Sequence, residues 1–143
     1  MYLVRLIYAS KITPIFKAGD VDSILSASHR NNPGRGVTGM LCFDNTYFLQ
    51  ALEGSRQAVS ELFGRISADP RHMDVTMLQY SDIAERDFGA WDMAYAALSP
   101  SQLRMLKNFG VPDSGFDPMK MSGASAHALL LYGLRGMGFL GSQ

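Results

Sequence analysis

The chain has 143 residues, with 13 basic residues against 13 acidic ones, a formal net charge of zero, and 47% hydrophobic content. That length holds one domain with a real core and is too short for two, and the composition is that of a soluble folded chain. Balanced charge leaves no basic stripe for nucleic acid and no field to steer an anionic partner, so binding has to rest on a local site.

The single Cys42 cannot form an internal disulfide. The opening MYLVRLIYAS lacks the charged leader and cleavage site of a signal peptide, and the apolar runs fall short of a membrane span. A cytoplasmic protein without membrane or nucleic-acid contacts is the expectation.

Residues 3–10 alternate, with Val4, Leu6, Tyr8 and Ser10 on one face and Leu3, Arg5 and Ile7 on the other, which predicts a strand. A helix follows, with Asp20 as N-cap and Ile24, Ser28 and Asn31 or Asn32 along its inner face, ended by Pro33-Gly34. VTGMLCFDNTYFLQALEG reads as a hairpin turning at Asp44-Asn45. Next comes a helix from Ser55 to about Ala68, with a stripe of Val59, Leu62, Phe63 and Ile66, stopped by Asp69-Pro70. Further strands are predicted at 75–81 and 91–96, separated by the charged loop DIAERDFGA.

The order β-α-β-β-α-β-β predicts an α+β, ferredoxin-like fold, with both helices on one face of a mixed sheet. The other face needs cover, which two appended C-terminal helices supply. One starts at the Ser99-Pro100 cap and carries Leu103, Leu106 and Phe109; the other runs from about Ser122 and carries Ala126, Leu129, Leu130 and Leu134. Residues 1–97 are therefore expected to form the core and 98–143 an extension, not a second domain. The glycine-rich end GLRGMGFLGSQ is poor helix material and is expected to fray.

Against this apolar background a few polar side chains stand out. Tyr8 alone reads as an ordinary core or rim tyrosine, and Asn31-Asn32 as turn residues closing a helix. Gln50 is harder to dismiss, because it lies between Leu49 and Ala51 and shares a face with Phe48 and Leu52. An amide buried there costs about 1 kcal/mol or more unless a polar partner meets it.

Five separate segments, RLIYAS, RNNPGRGVTGMLCF, YFLQALEG, ISADPRH and WDMAY, resemble in order the motifs of the BLUF family of blue-light sensors, over roughly residues 1–97. The helical tail is similar to that of short members not fused to an enzyme. The resemblance implies a bound flavin, FAD first, with FMN or riboflavin as alternatives. It gives Tyr8 the role of the phenol that donates an electron and proton, and Gln50 that of the amide between phenol and ring. Asn32 would meet the carbonyl side of the ring. Asn31 occupies a position that holds asparagine or histidine in family members. Ile24, Ser28, Phe48 and Ile66 would line the ring, and Arg65, Asp69, Arg71 and His72 would lie where the ribityl-phosphate tail emerges.

Trp91 and Met93, two apart, are expected to share a face and to carry the signal, either of them inward in the dark state. With no output enzyme in the chain, a downstream protein partner or a homo-oligomer would read that signal. The competing readings are a flavin-dependent oxidoreductase, a small hydrolase using Arg30, Asn31 and Asn32, and a plain binding module. The chain has no paired carboxylates, no Ser-His-Asp order and no phosphate-binding glycine signature. His29, His72 and His127 are far apart, so no metal site is expected.

Overall fold

Alternation in the first segment becomes β1, Leu3–Ile12, and the computed structural model, which describes residues 2–99 and 115–136, makes that strand an interior strand of a five-stranded sheet. It pairs antiparallel with β3 (Tyr47–Ser55) on one side and with β4 (His72–Ile83) on the other. β2 (Thr38–Phe43) pairs antiparallel with β3, and β5 (Ala94–Ala97) runs parallel to β2, giving the order β4-β1-β3-β2-β5. The expected mixed, ferredoxin-like α+β sheet is what forms.

Each face of the sheet carries its own core. On one, Val4, Leu6 and Tyr8 of β1 and Phe48 and Leu52 of β3 pack with Leu25 of α1 (Asp20–Arg35) and Val59 of α2 (Arg56–Ser67). On the other, Ile7, Ala9, Leu49 and Ala51 meet Ala126, Leu129, Leu130 and Leu134 of α3 (Gly123–Gly136). Removing each large aliphatic side chain from water stabilises the fold by about 1.5–3 kcal/mol, so α3 is as much a part of the core as α1 and α2. The helix predicted over Leu103, Leu106 and Phe109 and the glycine-rich end lie outside the described residues, except for the last turn of α3.

Several boundaries differ from the sequence expectation. α1 does not stop at Pro33. The proline forfeits one helical hydrogen bond on an exposed turn, and the helix continues to Arg35, where Gly36 in the left-handed region (φ 68°) closes it with its N–H on the carbonyls of Asn32 and Pro33. Gly19, not Asp20, is the N-cap; the Asp20 carboxylate instead accepts from the Lys17 N–H at 2.7 Å. β4 starts earlier than predicted because His72 pairs with Ile12, and β5 is shorter, with Trp91 outside it. The turn at Asp44-Asn45 needs no glycine, since Asp44 Oδ1 accepts the N–H groups of Thr46 and Tyr47, each at 2.8 Å.

Gly39 on β2 sits where no side chain fits: an added Cβ would lie 2.2 Å from the Ala51 carbonyl oxygen and 3.0 Å from Met93 Cε. Gly39→Ala is expected to destabilise the protein by about 2 kcal/mol or more, because β2 and β3 must part to admit the methyl. Urea unfolding measures this; an unchanged midpoint would show that the two strands yield freely.

Candidate functional site

The register of β1 and β3 sets Tyr8 directly opposite Gln50. Paired residues point to the same face, so phenol and carboxamide meet, and Tyr8 donates its hydroxyl proton to Gln50 Oε1 at 2.6 Å. The other end of the amide faces Met93, with Nε2 to Sδ at 3.3 Å. A thioether is a weak acceptor, and the second amide hydrogen has no acceptor among the described residues. Gln50 is 4% exposed, so this is a buried donor that the protein leaves underused.

Beside this amide opens a cavity of about 270 Å³. α1 contributes Ile24, Ala27, Ser28, Asn31, Asn32 and Arg35, α2 contributes Leu62, Arg65 and Ile66, and Tyr8, Leu41, Phe48, Gln50, His72 and Met93 come from the sheet and its approach. Asp69 and Arg71, between α2 and β4, complete the lining. Its size lies near the lower end of small-molecule sites, about 300 Å³. Apolar walls, buried neutral amides and an unspent amide hydrogen suit a flat heteroaromatic ring with acceptor atoms on its edge.

All twelve residues singled out for cofactor contact line this cavity. Their hydrogen bonds are less uniform than their sequence suggests. Ser28 spends its hydroxyl on the Ile24 carbonyl at 3.0 Å, and Asn32 donates to the Asp92 carbonyl at 2.9 Å, tying the end of α1 to the segment before β5. Arg71 is gripped by Asp69 and lies 3.8 Å from Asp20, so its charge is already answered. His72 is also engaged at both ring nitrogens: Nε2–H donates to the Ile66 carbonyl, and Nδ1 accepts from Ser10 at 2.7 Å. Arg65 is the exposed one of the four expected near a cofactor tail.

Sequence reasoning missed Ala27, Arg35, Leu41 and Leu62. Arg35 was hidden by ending α1 at Pro33. The others were within reach, Leu41 as the residue opposite Gln50 across the hairpin, and Ala27 and Leu62 one helical turn from Ile24 and Ile66. The expectation that Trp91 and Met93 share a face is overturned. Met93 is buried at Gln50 on the α1/α2 side, whereas Trp91 packs on the α3 side. Trp91 precedes β5 in an irregular stretch, where strict alternation does not hold.

The family model for sensors of blue-light using FAD (BLUF) matches residues 3–94. The chain belongs to the BLUF family. It is 36% identical over 95 residues to the photoactivated adenylate cyclase subunit beta of Euglena gracilis, an alignment covering 66% of this chain and 11% of that protein. The chain thus spans about a tenth of the length of that relative. Among solved structures, BlrB, a BLUF protein in its dark state, is 31% identical with a TM-score of 0.76, covering 93% of this chain and 95% of that one. BlsA in its photo-activated state has a TM-score of 0.85 at 25% identity, covering 99% of each chain. As a BLUF chain the protein is a blue-light sensor of a family whose chromophore is FAD. No helix among the described residues is long and apolar enough to cross a membrane.

In this cavity burial, together with the nearby Asp69 carboxylate, raises the Tyr8 phenol well above its ordinary value of 10.0. The folded state therefore holds the Tyr8 proton more tightly than the unfolded state does. Its stabilising contribution is complete below the unfolded value of about 10 and is lost as pH rises beyond it. Absorbance titration near 295 nm is expected to find Tyr8 absent from the tyrosines that ionise near pH 10, so that Tyr8→Phe leaves the early-titrating count unchanged.

Proposed function

We propose that Tyr8 and Gln50 are the photochemical pair of this sensor and that the cavity beside them holds the flavin ring. The twelve lining residues named from the sequence would make its contacts, joined by Ala27, Arg35, Leu41 and Leu62. The observation that carries this reading is the 2.6 Å bond from Tyr8 to an amide whose other end is poorly satisfied. A bound flavin supplies the one thing the chain lacks, an oxidant created by blue light.

Tyr8 would pass one electron to that oxidant while its proton leaves along the bond to Gln50 Oε1, and both would return to the phenol afterwards, so that nothing is consumed. A sensor, not an enzyme, follows. The Tyr8–Gln50 pair would also stand at the edge of the ring where an oxidoreductase admits substrate.

Gln50 can record the event because its two ends differ, one accepting and one donating. Rotation by half a turn would set the carbonyl oxygen against Met93 Sδ, two electron-rich atoms where an N–H met a sulfur before. Met93 must then yield, and with it the 86–93 segment, which the Asn32 bond to Asp92 also holds. Two arrangements close in energy make that a switch.

Residues 1–97 would form the photosensor core and 98–143 the extension that carries the output, with Met93 as the first relay and Trp91 behind it. A cytoplasmic protein partner or further copies of the chain would read it. Met73, Met77 and Tyr80, exposed along the outer strand β4, support such a contact.

Absorption spectra before and after blue illumination test the reading. Wild type is expected to shift slightly to the red, stay oxidised and recover in darkness. Gln50→Leu, which keeps the volume but neither donor nor acceptor, is expected to retain flavin and lose the shift. A normal shift in that variant would refute the assignment of Gln50.

A further inference from the structure

The α3 side of the sheet is tied together by charge. Arg5, on β1, donates from Nε to Glu53 at 2.9 Å and from Nη2 to Asp87 at 2.8 Å. Glu53 is fully buried and also accepts the backbone N–H groups of Asp87 and Phe88, at 3.1 and 2.8 Å. The same oxygen of Asp87 that meets Arg5 lies 2.7 Å from Nε2 of His127, on α3. The His127 ring also stands edge-on to Phe88, with centroids 6.4 Å apart.

Two carboxylates, Glu53 and Asp87, thus share one guanidinium. With His127 neutral the cluster carries an uncompensated negative charge; with His127 protonated it balances, two against two. Nε2–H donates to the Asp87 carboxylate, and a positive charge on the ring converts a neutral hydrogen bond into a charge-assisted one. Among the described residues, the other charged groups that the structure pairs do not replace it. α3 itself has only Arg135, in its last turn; Asp117 and Lys120 pair with each other at 3.8 Å; Asp82 on β4 pairs with Arg56; and Arg86 is spent on Thr38 and the carbonyls of Gly36 and Glu53.

We propose that His127 is a clasp holding α3 to the 86–93 segment, and that its grip depends on the protonation of the imidazole, so that the docking of α3 weakens as pH rises. Asp87 lies six residues before Met93, on the stretch that reaches Gln50. If α3 is the output element, which rests on the function proposed above, the clasp makes the light response pH-dependent as well.

Hydrogen exchange followed by mass spectrometry on the flavin-loaded full chain tests this in the dark, between about pH 5.5, where imidazoles are protonated and carboxylates ionised, and about pH 8.5. After correction for intrinsic exchange, α3 peptides are expected to exchange about threefold faster at the higher pH, a partly exposed pair being worth only a fraction of a kcal/mol, while β1 peptides stay constant. His127→Gln should exchange fast at both values and His127→Lys, charged throughout, slowly at both, each with the wild-type flavin spectrum and light shift. Wild-type α3 exchange independent of pH, or a pH dependence that survives in His127→Gln, would overturn the clasp. If the pH dependence is as expected but illumination leaves α3 exchange unchanged, the clasp stands and the reading of α3 as output falls.

Discussion

Everything at the cavity proposed to sense light depends on one pairing, Tyr8 opposite Gln50 across β1 and β3. A strand presents alternate residues to opposite faces, so a slip of one residue would send Gln50 to the α3 side and leave Tyr8 facing an aliphatic neighbour. The register is held by the burial of both faces: Leu6 and Leu52 on the cavity side, Ile7, Ala9, Leu49 and Ala51 on the other. Because the two faces pack against different partners, a slip of one residue would exchange the side chains of the two cores and spoil the fit of both. The hydrogen bond between phenol and amide is thereby imposed by the core and does not have to assemble itself.

The two faces use different polar chemistry. The cavity side is neutral where it is most buried, with a phenol, two carboxamides and a thioether, and its charged residues are half-buried or exposed. Neutral groups can exchange donor and acceptor roles without moving net charge through a low-dielectric interior. The α3 side holds the opposite kind of set, Arg5, Glu53 and Asp87, where ionised partners keep each other in place and removing one would strand the rest. In the proposed mechanism rearrangement belongs to the first set and anchoring to the second. The 86–93 segment touches both, since Asp87 is in the ionic set and Met93 is at the amide.

Met93 suits that junction. Its unbranched chain fills the space against Gly39 and its sulfur meets the Gln50 amide as a weak acceptor, so a modest change in the amide is enough to alter the contact. Gly39 matters for the same reason. By bringing β2 close to β3 it leaves Met93 a defined slot, and a methyl there would crowd both the Ala51 carbonyl and the Met93 side chain.

Much was legible in the sequence because it follows from local periodicity. Alternation in LVRLIYAS and YFLQALEG, the stripe of α2, and the stripe Ala126, Leu129, Leu130 and Leu134 are properties of neighbours along the chain, and they determined the elements, the α+β order and the anomaly of an amide at Gln50 in an apolar run. The motif order determined the family. Tertiary structure alone decided the pairings between residues far apart in sequence: Met93 and not Trp91 at the amide, His72 bound at both ring nitrogens by Ser10 and Ile66, Arg71 neutralised by Asp69 and Asp20, and His127 brought to Asp87. No periodicity encodes these. They arise where irregular segments cross a packed sheet, and the partner of each polar group is fixed by the cost of leaving it unsatisfied there.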